Sequence, residues 1–172
     1  RQGIDLDRTM LANWSGRAAL LLQPIIDEMI TQLQRSDHLQ MDETIVPVLA
    51  PGTRKVRKDY LWVMLRDQRG WGGVDPPIVV FHHSRTRSGD VAQGILKGFA
   101  AGTLMVDGHP VYDVLADPKK TEQPWETAYC WTHWRRRFVK FGQDTPSPIC
   151  DEMVARIAEL YAIEKTIRGK EP

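Results

Sequence analysis

Cysteine is nearly absent: Cys130 and Cys150 are the two in 172 residues. Two cysteines make no disulfide framework, and they fit a reducing compartment. No apolar run approaches the roughly 20 residues that a membrane-crossing helix needs, so no membrane partner is expected. No stretch reads as a secretory signal. Excess charge of one sign is missing too. The formal net charge is +1, so the whole-chain balance does not by itself announce nucleic acid. Internal repeats and low-complexity tracts are also lacking. What is present is 42% hydrophobic content with six Trp, enough for one domain with a substantial core. The chain opens at Arg1 rather than Met, inside what reads as a helical region. A fragment of a longer protein is the expectation.

Local charge says more than the total. "PGTRKVRKDY" gathers Arg54, Lys55, Arg57 and Lys58 in one loop-like segment, and "HWRRRFVK" gathers Arg135, Arg136, Arg137 and Lys140. Either cluster can be a plain solvated face. Two clusters with aromatic neighbours also suit a phosphate backbone.

Residues 9–35 keep helical spacing through Leu11, Trp14, Ala18, Leu21, Leu22, Ile25, Ile26 and Met29. Pro24 is expected to bend or split that helix. Three strands follow at 38–49, 59–66 and 77–82, with turn signals between them, which suggests an antiparallel meander. Ser88 is the predicted N-cap of a helix over 89–98. A strand at 102–107, a helix near 109–116, the strand "TAYCW", the helix "THWRRRFVKF" and a last helix over 149–169 complete the chain. A meander followed by alternating strand and helix implies a mixed sheet with helices on both faces. The fold class is α/β (mixed α+β), with the layout of a ribonuclease H-like fold. The predicted organisation is a helical lead-in over 1–36 and one compact domain over 37–172.

Three elements carry carboxylates with a claim to chemistry. In "HLQMDETIVPVLAP" a strand holds Asp42 and Glu43 at its middle. Alternation puts Glu43 with Leu39, Met41, Ile45 and Leu49, and Asp42 with Gln40, Thr44, Val46 and Val48. It does not choose between the two acids, and it gives Glu43 the more apolar face. Asp107 ends the apolar run Leu104-Met105-Val106, where α/β sheets gather functional groups. It can equally cap the following helix. On an ideal helix of about 100° per residue, Ile157, Leu160, Glu164 and Ile167 fall within roughly 40° of Met153. Glu152 and Glu159 fall outside that stripe. Glu164 is therefore expected to face the sheet. A buried carboxylate needs a partner; a distant salt bridge or a metal would serve. Three such carboxylates can hold two Mg2+ or Mn2+ ions, which hard oxygen ligands favour.

The blocks "MDETIVPVL", "YLWVMLRD", "SRTRSGD", "LMVDGHPVYDVL", "CWTHWRRRF" and "IAELYAIEKTIRG" occur in this order. Together they resemble the catalytic core of the insertion-sequence 66 family of bacterial transposases, over nearly the whole chain. The resemblance implies an aspartate–aspartate–glutamate transposase on a ribonuclease H-like fold. It places the first aspartate at Asp42 rather than Glu43, the second at Asp107 and the glutamate at Glu164, and so implies two Mg2+ or Mn2+ ions at these residues. It places Arg87 in the family's "SRSG" block without a role. The sequence departs from the family at "WTHW", where a small residue commonly precedes the arginines, and at "DGHPVY", where an aromatic usually follows the glycine.

Cys130 and His133 have the Cys-x-x-His spacing of half a zinc site, or they simply pack. A full site would need Cys150 and His109, and zinc is not expected. By resemblance to other cut-and-paste transposases, His133 contacts the scissile phosphate or orients a carboxylate, and Arg135, Arg136 and Arg137 hold phosphate. The implied activity is phosphodiester hydrolysis and DNA strand transfer, with transposon ends and target DNA as partners. A homo-oligomer on DNA in the bacterial cytoplasm, at the nucleoid, is the implied setting. Family members normally carry upstream zinc-binding and DNA-recognition segments. A ribonuclease H-like nuclease or resolvase, or a silent DNA-binding relic, are the rival readings.

Overall fold

The computed structural model describes residue 3 and residues 5–170. Arg1, Gln2, Ile4, Glu171 and Pro172, at the outer ends of the expected lead-in and catalytic segments, lie outside the described residues.

Helix α1 runs Arg8–Gln34 as one element, and Pro24 does not split it. Only its C-terminal part is packed: Leu33 is buried, and Ile26, Met29 and Ile30 rest partly on the core. The apolar residues further upstream face outward, with Leu21 81% exposed. Strands β1 (His38–Ala50) and β2 (Lys55–Arg66) form a long antiparallel hairpin, and β3 (Ile78–Ser84) extends it. The basic segment expected as a loop is therefore largely strand. Only Arg54 sits in the turn, at φ 54, beside Gly52 at φ 77. Lys55, Arg57 and Lys58 already pair with Ala50, Val48 and Pro47. A tight turn of left-handed residues lets pairing start four residues earlier than the apolar pattern shows.

Helix α2 (Gly89–Ile95) leads to β4 (Thr103–Val106). Ser88 occupies the N-cap position, but its side chain makes no capping bond. A single 3-10 turn, Pro110–Tyr112, precedes the short α3 (Asp113–Ala116), where one helix was expected. Then come β5 (Glu126–Tyr129), α4 (Trp131–Asp144) and α5 (Pro148–Ile167).

The sheet order is β3-β2-β1-β4-β5. The first three strands are antiparallel; β4 and β5 run parallel to β1. This mixed five-stranded sheet with helices on both faces is ribonuclease H-like. Its β1–β4 seam needs glycine: a Cβ on Gly102 would lie 2.2 Å from the Asp37 carbonyl oxygen.

One sheet face is dry. Leu39, Met41, Trp62, Met64, Val80, Leu104 and Val106 pack there against Leu33, Ala92, Tyr112 and Leu115. Each large aliphatic side chain there contributes about 1.5–3 kcal/mol of burial. The other face is partly covered by the start of α4. Among the described residues, no helix is long and apolar enough to cross a membrane.

Candidate metal centre

The parallel β1–β4 register pairs Gln40 with Met105. Two pairs further on, Asp107 comes beside Asp42, just past the last residue of β4. Gly108 turns the chain away at φ 75, and a Cβ there would press within 3.3 Å of the Tyr129 ring. The Asp107 side chain is thus fixed at a strand end. Its Oδ1 accepts from the backbone N–H of His109 at 2.7 Å. The capping and site readings of Asp107 are compatible, since its Oδ2 remains for other partners.

Asp42 lies on the partly open sheet face, 46% exposed, with its Oδ2 3.6 Å from His133 Nε2. Its Oδ1 accepts from the Glu43 N–H at 2.9 Å. Glu43 points the other way, as strand alternation requires. Its side chain is 1% exposed. The Tyr112 hydroxyl donates to Glu43 Oε2, and the Arg87 guanidinium lies against Oε1. Burial pushes the Glu43 carboxyl above its ordinary value, against the pull of Tyr112 and Arg87. Burial and the Glu43 charge likewise raise the Tyr112 hydroxyl. Arg87 Nη2 also faces Asp107 Oδ2 at 3.8 Å.

One oxygen each from Asp42, Glu43 and Asp107 lie within 4.8 Å of one another. Asp42 and Asp107 line an open cavity of about 230 Å³ together with Gln40, Val63, Leu65, Met105, Cys130 and His133, whereas Glu43 does not reach it. An acidic set of hard oxygens at the mouth of a cavity fits Mg2+ or Mn2+.

Glu164 does not face the sheet as the helical phase predicts. Its side chain is 55% exposed, with Arg168 Nε at 3.7 Å. The reason is where its neighbour helix begins. The α5 stripe of Cys150, Met153, Val154, Ile157 and Tyr161 is wholly or partly buried. Opposite Tyr161, whose hydroxyl is 3.2 Å from Thr132 Oγ1, α4 has only just started. Glu164 and Ile167 lie beyond that end, so the stripe outruns its partner.

His133 faces Asp42, and its Nδ1 is buried without a hydrogen bond. Cys130 stands at the α4 N-cap position. The other two zinc candidates are engaged elsewhere. Cys150 is buried near Gly142, and His109 Nδ1 accepts from the Val111 N–H. Arg137 donates to the Asp107 carbonyl at 3.4 Å, whereas Arg135, Arg136 and Lys140 are exposed along α4. Arg54, Lys55 and Lys58 are exposed at the hairpin tip.

A second charged group is absent from the sequence reading. Asp59 is fully buried, and its Oδ2 is 2.7 Å from Arg57 Nη2 and 2.8 Å from His83 Nε2. Hydrogen bonds from Arg57, then His83, hold its carboxyl down to about 2. Asp59 pairs with Val46, four residues along β1 from Asp42, or about 13 Å at strand rise. The one available signal was a carboxylate on the same alternating face as Leu61 and Val63. Tyr112 was also missed as a partner of Glu43, because nothing in the sequence marks two residues 69 apart as neighbours.

The family model of the transposase IS66 family matches residues 1–172. Three proteins of Sinorhizobium fredii, each described as uncharacterized, are similar over nearly the whole chain. The chain is 33% identical to y4qI over 99% of its own length and 38% identical to y4jD over 98%. It is 30% identical to y4hP over 98%. It spans about a third of the length of these relatives, 32–33% in each case.

Proposed function

The chain belongs to the IS66 family of transposases, and we propose that it is the catalytic domain of a DNA transposase. The proposed reaction is cleavage of a phosphodiester at a transposon end, then attack by the freed 3′-hydroxyl on target DNA. The observation that carries this reading is the convergence of Asp42 and Glu43 of β1 with Asp107 at the end of β4, beside His133.

Each group has a part. Asp42 and Asp107 hold the divalent ions, through the oxygens left free by the Glu43 and His109 N–H groups. Two such ions supply Lewis-acid activation of the attacking oxygen and charge relief at the leaving oxygen. His133, with Nε2 facing Asp42 and Nδ1 buried, orients the Asp42 carboxylate. Arg137 is tied to the Asp107 carbonyl and, with Arg135, Arg136 and Lys140, follows the DNA backbone along α4. Arg54, Lys55, Arg57 and Lys58 meet phosphate on the hairpin. Glu164 joins the ligand set once DNA is bound, from a helix that lies one residue's contact away from His133 through Tyr161 and Thr132. The division at residue 36, assembly as a homo-oligomer on DNA, and action at the nucleoid belong to the same proposal.

The test is cleavage and joining of DNA carrying the element's ends, in Mn2+ or Mg2+. Asp107→Asn is expected to lower both steps by about 10³-fold or more. Unchanged activity in that variant would remove the reading. Cuts without joined products would assign the site to a hydrolytic nuclease instead.

A further inference from the structure

We propose that Arg87 is a positioning residue that withholds Glu43 from the metal, so that the DNA-free site takes its cation through Asp42 and Asp107. The inference rests on the metal-site reading above. Glu43 is the odd member of the acidic group: its side chain is 1% exposed, against 14% for Asp107 and 46% for Asp42. Distance does not exclude it, since it offers an oxygen within 4.8 Å of the other two ligand atoms. What excludes it is company. Tyr112 holds Oε2 and Arg87 covers Oε1.

The guanidinium is suited to this task because it stays charged at any working pH. Arg87 sits on the dry side of β1, in the loop before α2, and is 28% exposed. Its Nε is buried without a hydrogen bond, so the group's pairing depends on the two carboxylates it faces. Displacing it from Glu43 would leave a largely buried cation short of a partner, which is costly. Three carboxylates and one guanidinium leave two negative charges, the number that one divalent ion neutralises. Without Arg87, a third full carboxylate would be free to swing toward the ion.

The experiment is titration of the protein with Mn2+ alone, without DNA, followed by calorimetry. Arg87→Gln is expected to bind Mn2+ about tenfold more tightly, because a nearby opposing charge is gone and a ligand is released. Glu43→Gln in the Arg87→Gln background should return the affinity to within about threefold of the parent protein, since the added ligand is removed. A merely structural role for Arg87 predicts no such rescue. Unchanged or weaker binding by Arg87→Gln overturns the inference, as does a double variant that stays tight. Should Arg87→Gln lose its native circular dichroism, Tyr112→Phe frees Oε2 alone. It is expected to tighten binding about threefold, the worth of one hydrogen bond, and no change there also overturns the inference. Absence of Mn2+ binding by the parent protein removes the metal-site reading itself. Binding by the parent that Arg87→Gln leaves unaltered removes only the role of Arg87.

Discussion

The sheet and the α4–α5 hairpin hold their charged groups by different means. In the sheet, strand register sets Asp42 beside Asp107, and side chains from three other segments fix Glu43 and Asp59. On the hairpin, α4 has no buried residue and α5 has two, Cys150 and Ile157. Leu160, Ile163 and Ile167 are 44–58% exposed. A strand residue is held by neighbours on both sides; a helix past the end of its packing partner is held by its own backbone alone. On the proposed reading, the difference separates a part of the site that is in place before any ligand arrives from a part that substrate completes.

Core truncation should show the contrast at full size. Trp62 is fully buried, meets Tyr112 edge-on at 6.1 Å, and donates to Ser84 Oγ at 2.8 Å. Trp62→Ala is expected to cost about 3–5 kcal/mol in urea denaturation. Ile163→Ala, at a residue 58% exposed, should stay within about 0.5 kcal/mol of the parent. Comparable losses from the two would erase the distinction between the regions.

Acid should act on the sheet through Asp59. Its carboxyl is held at about 2, below the ordinary value of about 3.9, because it is paired only in the folded state. The stabilisation is therefore complete above about pH 4 and is lost as pH falls toward 2. Denaturant midpoints measured from pH 5 to pH 2 should fall less steeply in Asp59→Asn than in the parent. Parallel slopes would show that the Arg57–Asp59–His83 group does not contribute to the acid limb.

Much of the sheet was legible in advance because strands announce themselves by period two. The alternation of β1 placed Leu39, Met41 and Glu43 on one face and Asp42 on the other, and the structure keeps that division. Glu43 is paired by Arg87 and hydrogen-bonded by Tyr112, which lie 44 and 69 residues away and carry no local signal. The residues proposed for the site on the hairpin were less legible. Helical phase reported correctly that an apolar stripe exists on α5 but not where its partner helix stops. The helical phase extends to Glu164, one turn past Tyr161, where α4 has not yet begun. Likewise the basic run from Arg54 to Lys58 had a loop's composition, and only the turn geometry at Gly52 and Arg54 made most of it strand.

Glu164 gives the finest test of the comparison. Its pair with Arg168, at 3.7 Å and with both side chains more than half exposed, is a surface i,i+4 contact worth about 0.3–0.5 kcal/mol. Glu164→Gln should therefore leave the melting temperature nearly unaltered. It should also leave Mn2+ affinity of the DNA-free protein unchanged, because the side chain is not among the converging oxygens. DNA cleavage, by contrast, should fall by about 10²-fold or more if the carboxylate enters the ligand set with substrate bound. A loss of Mn2+ affinity without DNA would mean that α5 already reaches the strand ends, and the boundary between the fixed and the completed halves of the site would disappear. Full cleavage activity would leave Asp42 and Asp107 to do the chemistry without any residue from the hairpin's far end.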